Sequence, residues 1–164
     1  MIRVVKETDA VHIARIYNHY ILNTLITFEE QPVTPEEIVA RINSVSTEYP
    51  WLVYEEDGKV VGYAYATSWK ERSAYRRTVE AAIYLDVQVT GRHIGSQLTA
   101  ALLDALRVRK IHSVLAGIAL PNAASVGLCE KFGFAMVGQL KEVGYKFDQW
   151  VDVGYWELIL GKIG

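Results

Sequence analysis

The 164-residue chain is most simply one domain spanning 1–164, and its 51% hydrophobic and 22% charged residues are those of an ordinary globular protein with a real core. A formal charge of −2 offers no basic face to nucleic acid or an anionic membrane, and no apolar run approaches the roughly 18 residues that cross a bilayer. The N-terminus turns polar and acidic too early for a signal peptide, a single cysteine (Cys129) cannot close an internal disulfide, and four scattered histidines lack metal-ligand spacing. No nucleic acid, membrane or metal partner is therefore expected, and the setting is expected to be reduced and cytoplasmic.

A short strand opens the chain, after which Thr8 or Asp9 can cap a helix whose Ile13, Ile16, Tyr17, Tyr20 and Ile21 follow the spacing of one buried face. "TPEEIVARI" begins a second helix, with Thr34 as N-cap, Pro35 in the first turn and Glu37 closing a capping box. "WLVYEEDGKVVGYAYATS" is two β-rich runs joined by Asp57-Gly58, a hairpin signal. "TVEAAIYLDV" reads as a central strand. Leu98, Ala101, Leu102, Ala105 and Leu106 mark a helical stripe, and "HSVLAGIAL" is a strand broken by Pro121-Asn122. "AASVGLCEKF" is a short helix ending at Gly133, a C-cap glycine, and "FAMVGQL" and "VGYWELIL" are closing strands. The pattern predicts a mixed α/β (α+β) fold: a mostly antiparallel sheet with helices on both sides.

Between the central strand and the helix that follows lies "VTGRHIGSQL". Unpaired N–H groups at a helix start bind phosphates, and glycines let the backbone come close. Gly91, Arg92 and Gly95 suit such a loop, but His93 stands where a glycine would serve better. A phosphate site and a plain strand-to-helix turn are both open on this stretch alone.

Taken together, "RRTVEAAIYLDVQVTGRHIGSQL", "LPNAASVGLCEKFGF" and "VGYKFDQWVDVGYWEL" resemble, in order and spacing, the GNAT superfamily of acetyl-CoA-dependent N-acetyltransferases, and within it the phosphinothricin and methionine-sulfone acetyltransferases. "IYNHYI", "TFEEQPVTPEE", "YPWLV" and "GYAYATSWKERSAYRRTVE" extend the resemblance over nearly the whole chain. It implies a sheet whose central strands splay to admit the pantetheine arm, with the pyrophosphate on a Q/R-x-x-G-x-G/A loop. That loop begins here at Thr90 and ends at Gly95. Thr90 replaces the usual Gln or Arg, and His93 replaces the first glycine. The resemblance places acetyl-CoA along Ile83, Tyr84 and Leu85, over Thr90, Gly91, Arg92, His93, Ile94, Gly95 and Ser96, and beside Asn122 and Ser125. Arg92 and Ser96 are expected to touch phosphate directly, and Asn122 also caps the following helix.

Acetyl transfer to an amine needs a base for the ammonium, donors for the thioester oxygen and a proton for the departing thiolate. Glu80 lies among apolar neighbours that would raise its pKa. As a lone strand glutamate it is open to a solvent-facing role, whereas the resemblance implies the general base. Main-chain N–H groups near Ile83 would face the thioester. Cys129 stands where related enzymes carry histidine or the tyrosine that protonates the leaving thiolate. It is read either as an inert core thiol or as that acid, since an ordinary thiol pKa is about 8.5. On the acceptor side, "SWKERSAYRR" is open to a solvated-face reading. The resemblance selects Lys70, Arg72 and Tyr75, with Phe28 covering the acceptor, and an arginine fork suits a carboxylate or phosphinate.

The expected function is transfer of acetyl from acetyl-CoA to the amine of a small amino-acid-like acceptor (L-phosphinothricin, methionine sulfone or sulfoximine, or arsinothricin), by direct attack in a ternary complex. The alternative is a GNAT-fold binding or sensing domain weakened at His93 and Cys129. Acetylation of a protein N-terminus or lysine would want an open groove, which the aromatic "YKFDQWVDVGYW" argues against. A homodimer is expected from the resemblance alone.

Overall fold

The computed structural model describes residues 1–161; the last three residues of the expected 1–164 domain lie outside them. Seven strands form one sheet in the order β1-β2-β3-β4-β5-β7-β6. They are β1 (Ile2–Val4), β2 (Trp51–Glu56), β3 (Lys59–Ser68), β4 (Thr78–Leu85), β5 (Ser113–Ala119), β6 (Ala135–Lys146) and β7 (Gln149–Ile159). Every neighbouring pair is antiparallel except β4 and β5. The helices are α1 (Ala10–Asn23), α2 (Pro35–Val45), α3 (Ile94–Val108) and α4 (Ala123–Lys131).

Period-2 alternation on β2 and β3 divides the core into two layers. Trp51, Val53 and Tyr63 pack against Ile13, Ile16, Tyr17 and Ile21 of α1 and Ile38 and Ile42 of α2. Leu52, Ala64 and Ala66 face the opposite way, onto Leu98, Leu102 and Leu106 of α3. Leu103 is buried beside them, whereas Ala101 and Ala105 are half-buried, so the α3 stripe is rotated slightly from the expected one.

Several local expectations hold. The Thr34–Glu37 capping box closes α2, with Pro35 at its start. Asp57 and Gly58 both take positive φ at the β2–β3 turn, as a tight hairpin requires. Gly133 takes φ +86 after α4, and the Phe134 N–H returns to the Cys129 carbonyl. The start of α1 differs: neither Thr8 nor Asp9 caps it with a side chain. A 3-10 turn (Glu7–Asp9) precedes it, and the Asp9 carboxylate accepts instead from the Lys6 N–H (2.8 Å) and is forked by Arg3 (2.7 and 2.8 Å). A buried carboxylate is better compensated by a guanidinium and an amide than by one helical N–H.

Candidate active site

β4 and β5 run together for three rungs only: Thr78 opposite Ser113, Val79 opposite Val114 and Glu80 opposite Leu115. Beyond Glu80, β4 stays with β3 as far as Leu85, while β5 stays with β7 as far as Ala119. The strands therefore part, and the edges of Ala81–Leu85 and Ala116–Ala119 that face each other have no strand partner. Such an edge offers N–H and C=O groups to an extended, amide-bearing chain. Ile83, Tyr84 and Leu85 lie on it. The Leu85 carbonyl is already taken by the Tyr20 hydroxyl at 2.7 Å, a contact that the sequence does not announce.

Where β4 ends, a 3-10 turn (Val87–Val89) is capped by Asp86, which accepts from the Gln88 N–H at 3.0 Å and pairs with Arg15 at 2.7 Å. Thr90 donates its hydroxyl to the Val87 carbonyl. Gly91 (φ +81) and His93 (φ +61) are both left-handed, so the backbone takes the path that a glycine at 93 would give. His93 is the N-cap of α3. Its carbonyl accepts from the Gln97 N–H, its side chain caps nothing, and the first turn carries no acidic residue. The amides of Ile94, Gly95 and Ser96 thus open the helix with the field that suits an anion.

Two basic residues flank this loop. The Arg92 guanidinium, half-exposed, forks the Glu56 carboxylate of β2 at 2.8 and 3.0 Å. Ser96 accepts from Lys131 Nζ at 3.0 Å. Lys131, at the end of α4, was missed in the sequence because 35 residues separate it from Ser96. It adds a positive charge beside the first turn of α3.

Glu80 is half-buried and, with Gly117 and Tyr155, lines a cavity of about 280 Å³ that Ile26 and Phe28 close from the α1–α2 connection. Burial raises its pKa, and the Lys70 charge opposes that rise. A buried carboxyl with a raised pKa is equipped to accept a proton. Lys70 sits over the Trp69 ring (4.9 Å), and Trp69 meets Tyr155 edge-on (5.5 Å). Of the expected acceptor residues, Phe28 lines the cavity and Lys70 acts on Glu80. Arg72 and Tyr75 are exposed on the turn before β4 and do not line it.

Beyond the parting strands, Asn122 caps α4 by accepting from the Ser125 N–H at 3.1 Å. Cys129 is half-buried on the α3 side of the sheet, and burial, with the nearby Glu130 charge, pushes its thiol up to about 11. Among the described residues no group of three His, Cys, Asp or Glu could hold a metal ion. No helix among those residues is long and apolar enough to cross a membrane.

A parted sheet, a helix start with free amides on one side and a half-buried carboxylate on the other suit a transferase that takes a phosphate-tailed, amide-bearing donor. The chain belongs to the GNAT acetyltransferase family: a family model described as acetyltransferase (GNAT) domain matches residues 2–154. It is 39% identical to the phosphinothricin N-acetyltransferase of Streptomyces viridochromogenes, over 95% of this chain and 85% of that protein. It is 34% identical to the L-methionine sulfoximine/L-methionine sulfone acetyltransferase of Salmonella typhimurium, over 98% of this chain and 95% of that one. Among solved structures, a phosphinothricin acetyltransferase from Sinorhizobium meliloti in complex with acetyl-CoA superposes with a TM-score of 0.94 at 32% identity, covering 98% of this chain and 88% of that one. An N-acetyltransferase from Staphylococcus aureus does so at 0.95 and 38%, covering 98% of both. The protein is an acetyl-CoA-dependent N-acetyltransferase, and the reading as a bare binding or sensing domain is not favoured.

Proposed function

We propose that the enzyme acetylates the amine of a small amino-acid-like acceptor of the phosphinothricin, methionine sulfone/sulfoximine or arsinothricin type, by direct attack within a ternary complex. The observation that carries this reading is the placement of Glu80. It sits on the last rung before β4 and β5 part, so one end of the gap meets a base in a partly open cavity. The amides of the 90–96 loop and Lys131 would hold the pyrophosphate, and Asn122, Ser125 and the β4 edge near Ile83 would hold the pantetheine and polarise the thioester. Glu80 takes the ammonium proton, the amine nitrogen attacks the thioester carbon, the C–N bond forms and the C–S bond breaks, and the second nitrogen proton passes through water to the departing CoA thiolate. Holding both reactants in one geometry supplies much of the rate.

The acceptors named for the relatives, phosphinothricin and methionine sulfoximine or sulfone, support the acceptor class, and the size of the cavity agrees with it. The test is release of CoA thiol with a panel of these amino acids, for wild type and Glu80→Gln. Acceptor-dependent release that falls at least about a hundredfold in the variant is expected. Tight acetyl-CoA binding without release on any acceptor would overturn the reading.

We also propose a homodimer in the cytoplasm. Its support is β6, an edge strand that exposes Met136, Val137 and Tyr145, with Trp150 alongside on β7. A monomer mass by sedimentation at micromolar protein would overturn the dimer.

A further inference from the structure

The segment "YKFDQW" places a cation in the interior that acetyl transfer leaves without a role. Lys146, at the end of β6, is 2% exposed. Its ammonium donates to the carbonyls of Thr24 and Thr27, both at 2.8 Å, across 122 and 119 residues of sequence. No carboxylate lies within ion-pair distance of it among the described residues. Two carbonyls, the Phe147 ring 5.0 Å away and the more distant Glu30 charge compensate a buried lysine less well than an ion pair would, so the arrangement calls for a return other than stability.

The two carbonyls belong to the connection between α1 and α2, which then passes over the cavity as Phe28. Two residues before Lys146 on the same strand, Gly144 seats the Phe28 ring: a Cβ there would lie 2.3 Å from its Cζ. The far side of the connection is fixed to the helices. Thr27 shares a hydrogen bond with the Tyr17 hydroxyl (2.8 Å), and Glu29 is forked by Arg41 of α2 (2.6 and 2.9 Å). The 24–29 segment is thus tied at both edges, to α1 and α2 on one and to the β6–β7 hairpin on the other.

We propose that Lys146 is a positioning residue that straps the Thr24–Phe28 segment to the hairpin, so that Phe28 is held as the cover of the acceptor cavity beside Glu80. This rests on the reading of that cavity as the acceptor site. The ammonium suits the task because its three donors turn freely and can hold two carbonyls from different turns. An apolar side chain of the same length would fill the space and release the segment.

The test compares wild type with Lys146→Met, Gly144→Ala, Phe28→Ala and the Phe28→Ala/Lys146→Met pair. Lys146→Met and Gly144→Ala should each raise the acceptor KM about tenfold, with kcat and acetyl-CoA affinity nearly unchanged. In Lys146→Met, hydrogen exchange should quicken over residues 24–30 and not in α3. In the Phe28→Ala background the Lys146→Met effect on KM should vanish, because the cover through which it acts is gone. An unchanged exchange rate over 24–30, or a KM effect that persists in full without Phe28, overturns the strap. So does acetyl-CoA affinity falling in parallel, which marks a general loss of fold. If wild type turns over no acceptor, the acetyl-transfer reading falls, and the strap stands or falls on hydrogen exchange alone.

Discussion

Gly117 makes room for the Glu80 carboxylate. A Cβ at position 117 would lie 3.0 Å from Glu80 Oε1 and 3.2 Å from Tyr155 Cε1. Gly117 is two residues past the last β4–β5 rung, so the carboxylate reaches into space that a side chain would otherwise fill. Burial removes water from the carboxylate placed there and raises its pKa. Gly117 thus couples the place where the sheet opens to a base that burial tunes.

That coupling sets the pH dependence. A base must be deprotonated to work, so kcat should fall as pH drops through a pKa above the ordinary glutamate range. Lys70 favours the ionised form, and its removal leaves burial unopposed. Lys70→Met should move the acid limb to higher pH, and Glu80→Gln should abolish it. For stability the sign is reversed: the folded state holds the Glu80 proton more tightly than the unfolded chain. Glu80 favours folding at acidic pH, and this contribution is lost as pH rises through the folded pKa. A pH–rate profile of Lys70→Met with its limb unmoved or shifted to lower pH would show that another group titrates.

Much of this was legible in the chain because local chemistry and tertiary structure agree. Thr34, Pro35 and Glu37 fix the start of α2, Asp57-Gly58 fixes a hairpin, and Asn122 and Gly133 bracket α4, each by hydrogen bonds a few residues away. What could not be read depends on partners distant in sequence. The Arg92–Glu56 pair forms only when β2 lies beside the loop, and Lys131 and Lys146 meet Ser96 and the 24–27 carbonyls only through folding. Arg72 and Tyr75, which the resemblance selected together with Lys70, are exposed on the turn before β4, outside the residues that line the Glu80 cavity. Glu80 was ambiguous in an alternating strand, because alternation reports which residues share a face and not what covers it.

His93 gives a second prediction. A left-handed histidine is strained by roughly 1–2 kcal/mol, which glycine relieves, but glycine also frees the unfolded chain by about 0.4–1 kcal/mol. His93→Gly should therefore change Tm by only a few degrees. Because the backbone is already left-handed, the amides of Ile94, Gly95 and Ser96 already point as a glycine would set them. Calorimetric titration should give acetyl-CoA affinities within about threefold for the two proteins. A gain above about tenfold in the variant would mean that the imidazole obstructs the phosphate.

Cys129 gives the third. With its thiol pushed up to about 11 by burial and the neighbouring Glu130, it stays protonated at working pH. Protonation does not by itself make it a good acid. Giving its proton to a departing thiolate of ordinary pKa near ~8.5 runs uphill by roughly two orders of magnitude in equilibrium. Cys129→Ala should then lower kcat by less than about tenfold, the thiol serving as a hydrogen-bond donor and packing group while water supplies the proton. The same high pKa should make the thiol slow to alkylate. At pH 8 its thiolate is scarcer than that of an ordinary cysteine by roughly two orders of magnitude, and the iodoacetamide rate should fall accordingly. A loss of kcat above about a hundredfold in Cys129→Ala, restored in part by histidine at the same position, would assign Cys129 the proton transfer after all.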